Sequence, residues 1–234
     1  MKQLFFLFAG ISMLFCSCNY ETGSGNIISE KRSVASFTGI SVGGSFEVEV
    51  KSGTSQSVEV EADDNVIKYI ETTVSGNVLK IHLGGIHSLS NVHLKVLITT
   101  PGIESIKASG SADVKVLDVL KEDGKVSFEA TSSAQIEAEV DAPEVVATGT
   151  SSASLHISGR TKHYIAKVNS SAEIKSFELL SENTEVNASS SGNAEVHASV
   201  HLKAHASSSG SVDYRGGASV EKSESSSGSV EKKD

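Results

Sequence analysis

The 234-residue chain has no tryptophan, two prolines (Pro101, Pro143) and two cysteines (Cys16, Cys18). It is also short of aromatics, because Phe5, Phe6, Phe8 and Phe15 crowd into the first fifteen residues and leave Phe37, Phe46, Phe128 and Phe177 beside four tyrosines. A wide globular core draws on more large side chains than that. A narrow core of Val, Ile, Ala and buried Ser in stacked layers does not need them. Two cysteines one residue apart supply no disulfide framework, and a bridge across one intervening residue is strained. Positive charge is not in excess: the formal net charge is -9, which opposes phosphate-backbone binding, so no nucleic-acid partner is expected. No segment carries a sustained helical stripe, and no cysteine cluster, phosphate-binding glycine loop or calcium-loop spacing is present, so no cofactor is expected.

One long apolar run does occur, at the start. Met1-Lys2-Gln3 precedes Leu4 to Phe15, a run too short to span a bilayer and of signal-peptide length. Phe15-Cys16-Ser17-Cys18 resembles a bacterial lipoprotein cleavage box, with small Ser17 ahead of the modified cysteine. Residues 1–17 are therefore read as a signal peptide and Cys18 as the residue bearing the lipid, of palmitate type. This places the mature chain at the bacterial cell envelope, on the outer membrane, facing the periplasm or the surface. Residues 18–30 are expected to form a flexible spacer because Asn19 to Asn26 is polar and glycine-rich.

β patterning follows. Val34-Ala35-Ser36-Phe37, Ile40-Ser41-Val42, Phe46 to Val50 and Val58 to Glu61 alternate apolar with polar residues, as strands with one buried face do. Residues 31–102 are read as an N-terminal β region continuous with what comes next. Val66 to Val74 fits neither the helical nor the strand period. Residues 103–234 repeat a unit of strand, Ser/Gly/Thr-rich corner, small residue and second strand. The apolar residues that follow the corners, Val114, Ile136, Leu155, Ile174, Val196, Val212 and Val230, lie 22, 19, 19, 22, 16 and 18 residues apart. A period near 20 is solenoid spacing. The expected fold is all-β, a β-helix-like solenoid of short stacked strands; the alternative is a β-sandwich. Small corner residues permit a tight bend, and their hydroxyls are expected to bond to neighbouring turns. The last units have little apolar material and read as a frayed or polar terminal coil.

These residues resemble the family known as the putative auto-transporter adhesin, head GIN domain, found among lipoproteins of Bacteroidetes-type bacteria. The resemblance runs from Phe37-Thr38-Gly39-Ile40-Ser41-Val42 through Gly44 to Val50 and is strongest at Ser109-Gly110-Ser111-Ala112-Asp113-Val114 and its echoes. Ser41 stands where the name-giving tripeptide has asparagine. The resemblance implies a β-helical fold and an adhesive role, and it supplies no catalytic residues.

Reactive side chains add little. His197, His201 and His205 recur at intervals of four, which is helical spacing in an extended segment and does not converge on a metal; His82, His87 and His93 likewise lack a ligand pattern. Asp113, Glu137 and Glu173 recur near related corners, but Ser154 and Ser211 interrupt the series, which weakens a polysaccharide-acting enzyme. The leading expectation is a non-catalytic envelope module binding a glycan or a protein. Its rival is an assembly component that self-associates into a homo-oligomer through exposed strand edges. The ligand-binding residues are not identified at this level.

Overall fold

The computed structural model describes residues 20–85 and 88–234. Cys18 and His87 lie outside them. The N-terminal part comprises β1 (Tyr20–Thr22), β2 (Ile27–Arg32), β3 (Gly39–Gly44), β4 (Glu47–Ser52), β5 (Ser57–Asp63), β6 (Ile70–Ser75), β7 (Val78–Leu83), β8 (Ser88–Ser90) and β9 (Leu94–Thr100). The ambiguous stretch after Val66 is a single 3₁₀ turn, Ile67–Tyr69, running into β6.

The segment expected to be a flexible spacer is instead built into the fold. β1 pairs in parallel with β8, and β2 pairs antiparallel with β5. Composition missed this because the ordering groups come from the distant Asp63-Asp64-Asn65. The Asp63 carboxylate accepts from the amides of Gly25 and His93, both at 2.7 Å. Asp64 accepts from the Ser24 hydroxyl (2.6 Å) and the Asn26 side-chain amide (2.8 Å). Asn65 donates to the Thr22 carbonyl and the Glu21 carboxylate, each at 2.9 Å.

The repeat part comprises β10 (Ser105–Gly110), β11 (Asp113–Val116), β12 (Leu120–Lys121), β13 (Lys125–Thr131), β14 (Gln135–Thr150), β15 (Ser154–Asn169), β16 (Glu173–Ser176), β17 (Leu179–Ala188), β18 (Asn193–His197), β19 (His201–Ala206), β20 (Ser211–Arg215), β21 (Ser219–Glu224) and β22 (Ser229–Lys232). The strands stack in two ladders, parallel throughout except at the N-terminal end, where β2–β5, β5–β9 and β6–β7 are antiparallel. One ladder runs β6-β7-β3-β10-β13-β14-β15-β17-β19-β21 and the other β2-β5-β9-β4-β11-β14-β15-β16-β18-β20-β22. The fold is a β-solenoid and not a sandwich. Its units are not all pairs of short strands: β14 and β15 each run for 16 residues, bending at a second corner around Pro143 and Lys162 and so serving both ladders.

Inside, equivalent positions share a column. Val114 aligns with Ile136, Ile136 with Leu155 and Leu155 with Ile174. The next member is Ala194, followed by Val212 and Val230. Val196 is two residues too far along. It points inward as well, fully buried, but its ladder partners are Ser176 and Tyr214. Strand parity keeps residues two apart on one face, so the larger Val196 outweighs the small Ala194 when apolar character alone sets the register. A second column, Ile106, Phe128, Ala147, Ala166, Val186 and Ala204, shows why few aromatics suffice: above Phe128 each coil adds only Ala or Val to a narrow, dry interior.

Candidate binding surface

The corner sequences make one continuous ridge. In five successive coils two serines in a row adopt positive φ: Ser151 and Ser152, Ser170 and Ser171, Ser190 and Ser191, Ser208 and Ser209, Ser226 and Ser227, all between 48° and 70°. Each pair forms the centre of a four-residue turn closed by an amide-to-carbonyl bond, such as Ala172 N to Asn169 O at 3.2 Å and Gly210 N to Ser207 O at 2.8 Å. Two consecutive left-handed residues define a type I′ turn, for which Asn-Gly is the preferred sequence. A left-handed L-residue costs on the order of 1 kcal/mol.

Coils are joined at this ridge by their backbones. Ser152 N donates to Ser170 O, Ser171 N to Ser190 O, Ser191 N to Ser208 O and Ser209 N to Ser226 O, at 3.2, 3.2, 3.1 and 3.0 Å. This corrects, for these five corners, the expectation that hydroxyls bridge neighbouring turns, which holds at the first corner, where the Ser109 hydroxyl donates to Val42 O at 3.2 Å. Among the described residues none of these ten side-chain hydroxyls is in a hydrogen bond, whereas the flanking Ser211 hydroxyl donates to Asn193 at 2.8 Å. All ten serines are exposed. The residue after each pair is tightly confined: a Cβ at Gly210 would lie 2.6 Å, and one at Gly228 2.4 Å, from backbone atoms of the coil beneath. Parallel strands set the hydroxyl pairs about 4.8 Å apart along the ridge.

Beside the ridge runs a column of outward polar residues: Asp113, Gln135, Ser154, Glu173, Asn193, Ser211 and Ser229. Asp113 and Glu173 are three coils apart, about 14 Å at strand spacing and beyond the ~5–9.5 Å that glycoside hydrolysis uses. Glu137 sits in the next column, opposite Lys115 and His156. Two of the three carboxylates pair with lysine, Asp113 with Lys115 at 3.6 Å and Glu173 with Lys175 at 3.0 Å.

The histidines do not meet. His197 lies on β18 in one ladder, and His201 and His205 lie on β19 in the other, exposed and on its outer face. The His82 ring lies 3.2 Å from the Glu71 carboxylate, while the His93 amide serves Asp63. Among the described residues no three His, Cys, Asp or Glu side chains converge to hold a metal.

The opposite corner is concave, and its residues carry no motif in the sequence. A cleft of about 860 Å³ opens at the other corner, between Asp141, Arg160, Lys162, Leu180, Glu182 and His197. Arg160 crosses it to Asp141 at 2.6 Å and holds that carboxyl below the usual carboxylate range. The corner beneath it is turned by buried hydroxyls: Thr161 donates to His163 O at 3.2 Å and Ser181 to Asn183 O at 3.1 Å. Thr161 and Ser181 stand immediately before the break in the ladder at Lys162 and Glu182, and a threonine or serine at that turn was the signal available in the sequence.

Solved structures share this architecture. A protein described as a putative adhesin from Bacteroides fragilis matches with a TM-score of 0.79 at 19% identity, over 91% of this chain and 98% of that one. A putative adhesin from Parabacteroides distasonis matches at 0.74 and 24% identity, covering 92% and 100%. A protein from the same organism described as a putative lipid binding protein matches at 0.76 and 21%, also covering 92% and 100%. At these identities the likeness concerns the fold. No curated protein matches the sequence. The model of one family, described as "Putative auto-transporter adhesin, head GIN domain", matches residues 36–218, well over half of the chain, and the chain belongs to that family.

Proposed function

We propose that this is an exported, lipid-anchored envelope protein acting as a non-catalytic, adhesin-like binding module, with the serine ridge as its binding surface and a glycan as its ligand. The observation that carries this reading is the ridge itself. Ten exposed serines hold left-handed conformations that glycine or asparagine would adopt at less cost, and their hydroxyls contribute no hydrogen bond to the fold. Strain kept at exposed positions points to use of the side chains. Hydroxyl pairs repeating at about 4.8 Å match a ligand that is itself a polymer of hydroxyl and ether groups, and a long ladder of weak bonds gives avidity without a deep pocket. Family membership supports the same reading. The signal peptide and Cys18 support the envelope location.

The experiment is a broad glycan and matrix-protein screen with the mature protein. It is repeated with a variant carrying Ser170→Asn, Ser171→Gly, Ser190→Asn, Ser191→Gly, Ser208→Asn and Ser209→Gly. Binding to a glycan that disappears in the variant, with the β-sheet circular dichroism unchanged, is the expected result. Retained binding moves the site off the ridge, and failure of the native protein across the panel removes the glycan reading.

A further inference from the structure

β1 begins close to the residue read as bearing the lipid. Tyr20, the first residue of β1, follows Cys18 with only Asn19 between them. Two peptide units carry the chain no farther than about 7.6 Å, so the Cα of Cys18 cannot be farther than that from the Cα of Tyr20. β1 is firmly seated: besides its ladder with Ser88–Ser90, its carbonyl at Thr22 is bound by Asn65, and the next amide, Gly23, donates to Ser90 O at 3.1 Å. It pairs only with β8, outside the two ladders, and leads through Ser24 to Asn26, bound by Asp63 and Asp64, into the edge strand β2 at the end of the solenoid opposite β21 and β22. Two large side chains at that end are turned outward, Tyr20 at 62% and Ile27 at 46% exposure. A tyrosine with an apolar ring and a polar tip suits the level of lipid headgroups.

We propose that the N-terminal cap rests directly on the bilayer, with Tyr20 and Ile27 at the headgroup level, and that the solenoid stands upright from it. This rests on Cys18 bearing the lipid. One ladder holds eleven strands from β2 to β22, so at about 4.8 Å per step the last coil stands about 48 Å above the cap. The serine ridge then runs along the membrane normal, its upper coils presented farthest from the lipid. A flexible spacer of Gly and Ser would let the domain tumble; a one-residue tether to an ordered strand does not.

The full chain is expressed in a lipoprotein-processing bacterium, and the N-terminal peptide of the mature protein is weighed. A Cys18 without acyl chains overturns the anchor on which the seat depends. The lipidated protein is then placed in a supported bilayer of phosphatidylethanolamine and phosphatidylglycerol, and its profile is measured by neutron reflectometry. The expected profile is a protein layer about 50 Å thick with no solvent gap above the headgroups, replaced by a diffuse layer when twenty Gly/Ser residues are inserted between Asn19 and Tyr20. A lipidated protein whose profile is thin, or is the same with and without the insert, overturns the seat and leaves the anchor standing.

Discussion

Lys222 and Glu224 occupy the two inward positions of β21 that Ala204 and Ala206 hold one coil earlier, and they close on each other at 3.2 Å. They also reach across the end of the solenoid to the last strand. The Lys222 ammonium donates to the Val230 carbonyl at 3.2 Å, and the Val230 amide donates to the Glu224 carboxylate at 2.7 Å. The Val230 amide, then Lys222, hold the Glu224 carboxyl below its ordinary range. Both backbone groups that Val230 would present to another molecule are thereby occupied. Inward charges on a terminal strand are a recognised defence against edge-to-edge pairing. The double substitution Lys222→Ala and Glu224→Ala restores the interior pattern of the preceding coil and frees the edge. It is expected to form concentration-dependent dimers and longer stacks in sedimentation velocity to a greater extent than the native protein, while each single substitution does so less. A double variant that stays monomeric at the highest soluble concentration removes the capping role.

The strained corners yield a stability prediction separate from binding. Replacing Ser170 and Ser171 by Asn and Gly supplies the residues a type I′ turn prefers, and the inter-coil bonds, being backbone to backbone, survive. Relief of two left-handed serines outweighs the extra freedom that glycine gives the unfolded chain, for a net gain of about 1 kcal/mol. Urea unfolding of the two proteins reads this as a higher midpoint with an unchanged slope. A loss of stability would mean that the serine hydroxyls support the turn after all.

Much of this architecture is legible in the chain because the parallel ladder repeats its own chemistry. The Ser-Ser-Ala and Ser-Ser-Gly corners, one per coil, mark the period, and strand parity carries the inward residues from Val114 to Ile174 into one column. Legibility stops where contacts are not periodic. Asp63 organises Gly25 and His93 across 38 and 30 residues, so the polar segment before Ile27 gives no local sign of its order. The ridge serines were visible as residues but not in their conformation. Nothing in the letters distinguishes a hydroxyl that ties two turns together from one left free beside a backbone bond that does the tying.

Tyr164 offers a test of the interior. It aligns with Val145 beneath and Thr184 above, is 1% exposed, and its hydroxyl finds no hydrogen-bond partner among the described residues. Burial pushes its pKa far up, offset only slightly by neighbouring Ser176, whose own hydroxyl donates to Glu195 O at 2.6 Å. An unpaired buried hydroxyl costs more than it returns. Tyr164→Phe keeps the ring and removes the orphaned group, so it is expected to raise stability by about 1 kcal/mol in equilibrium unfolding. A loss of similar size would place a bound water on that hydroxyl.

Asp63 gives the cap a dependence on acid. The carboxylate is 1% exposed and lies below its ordinary range; the His93 amide is the largest cause, burial opposes it, and the Gly25 amide adds to the lowering. A carboxyl whose pKa is depressed by folding contributes stability that is complete above the unfolded value of about 3.9 and is lost as pH falls through the folded value. The native protein is therefore expected to loosen at its N-terminal cap on acidification below about pH 4, with the amides of Gly25 and His93 the first to exchange with deuterium. Asp63→Asn presents a donor where an acceptor is needed, leaves one of the two amides facing another N–H, and is expected to cost about 2 kcal/mol at pH 7. Its stability should then lose the Asp63 contribution to the acid dependence, so that the gap between native and variant proteins narrows as pH falls below about 4. If the gap between them is as wide at pH 3 as at pH 7, the charge on Asp63 is not what holds β1 and β2 to the cap.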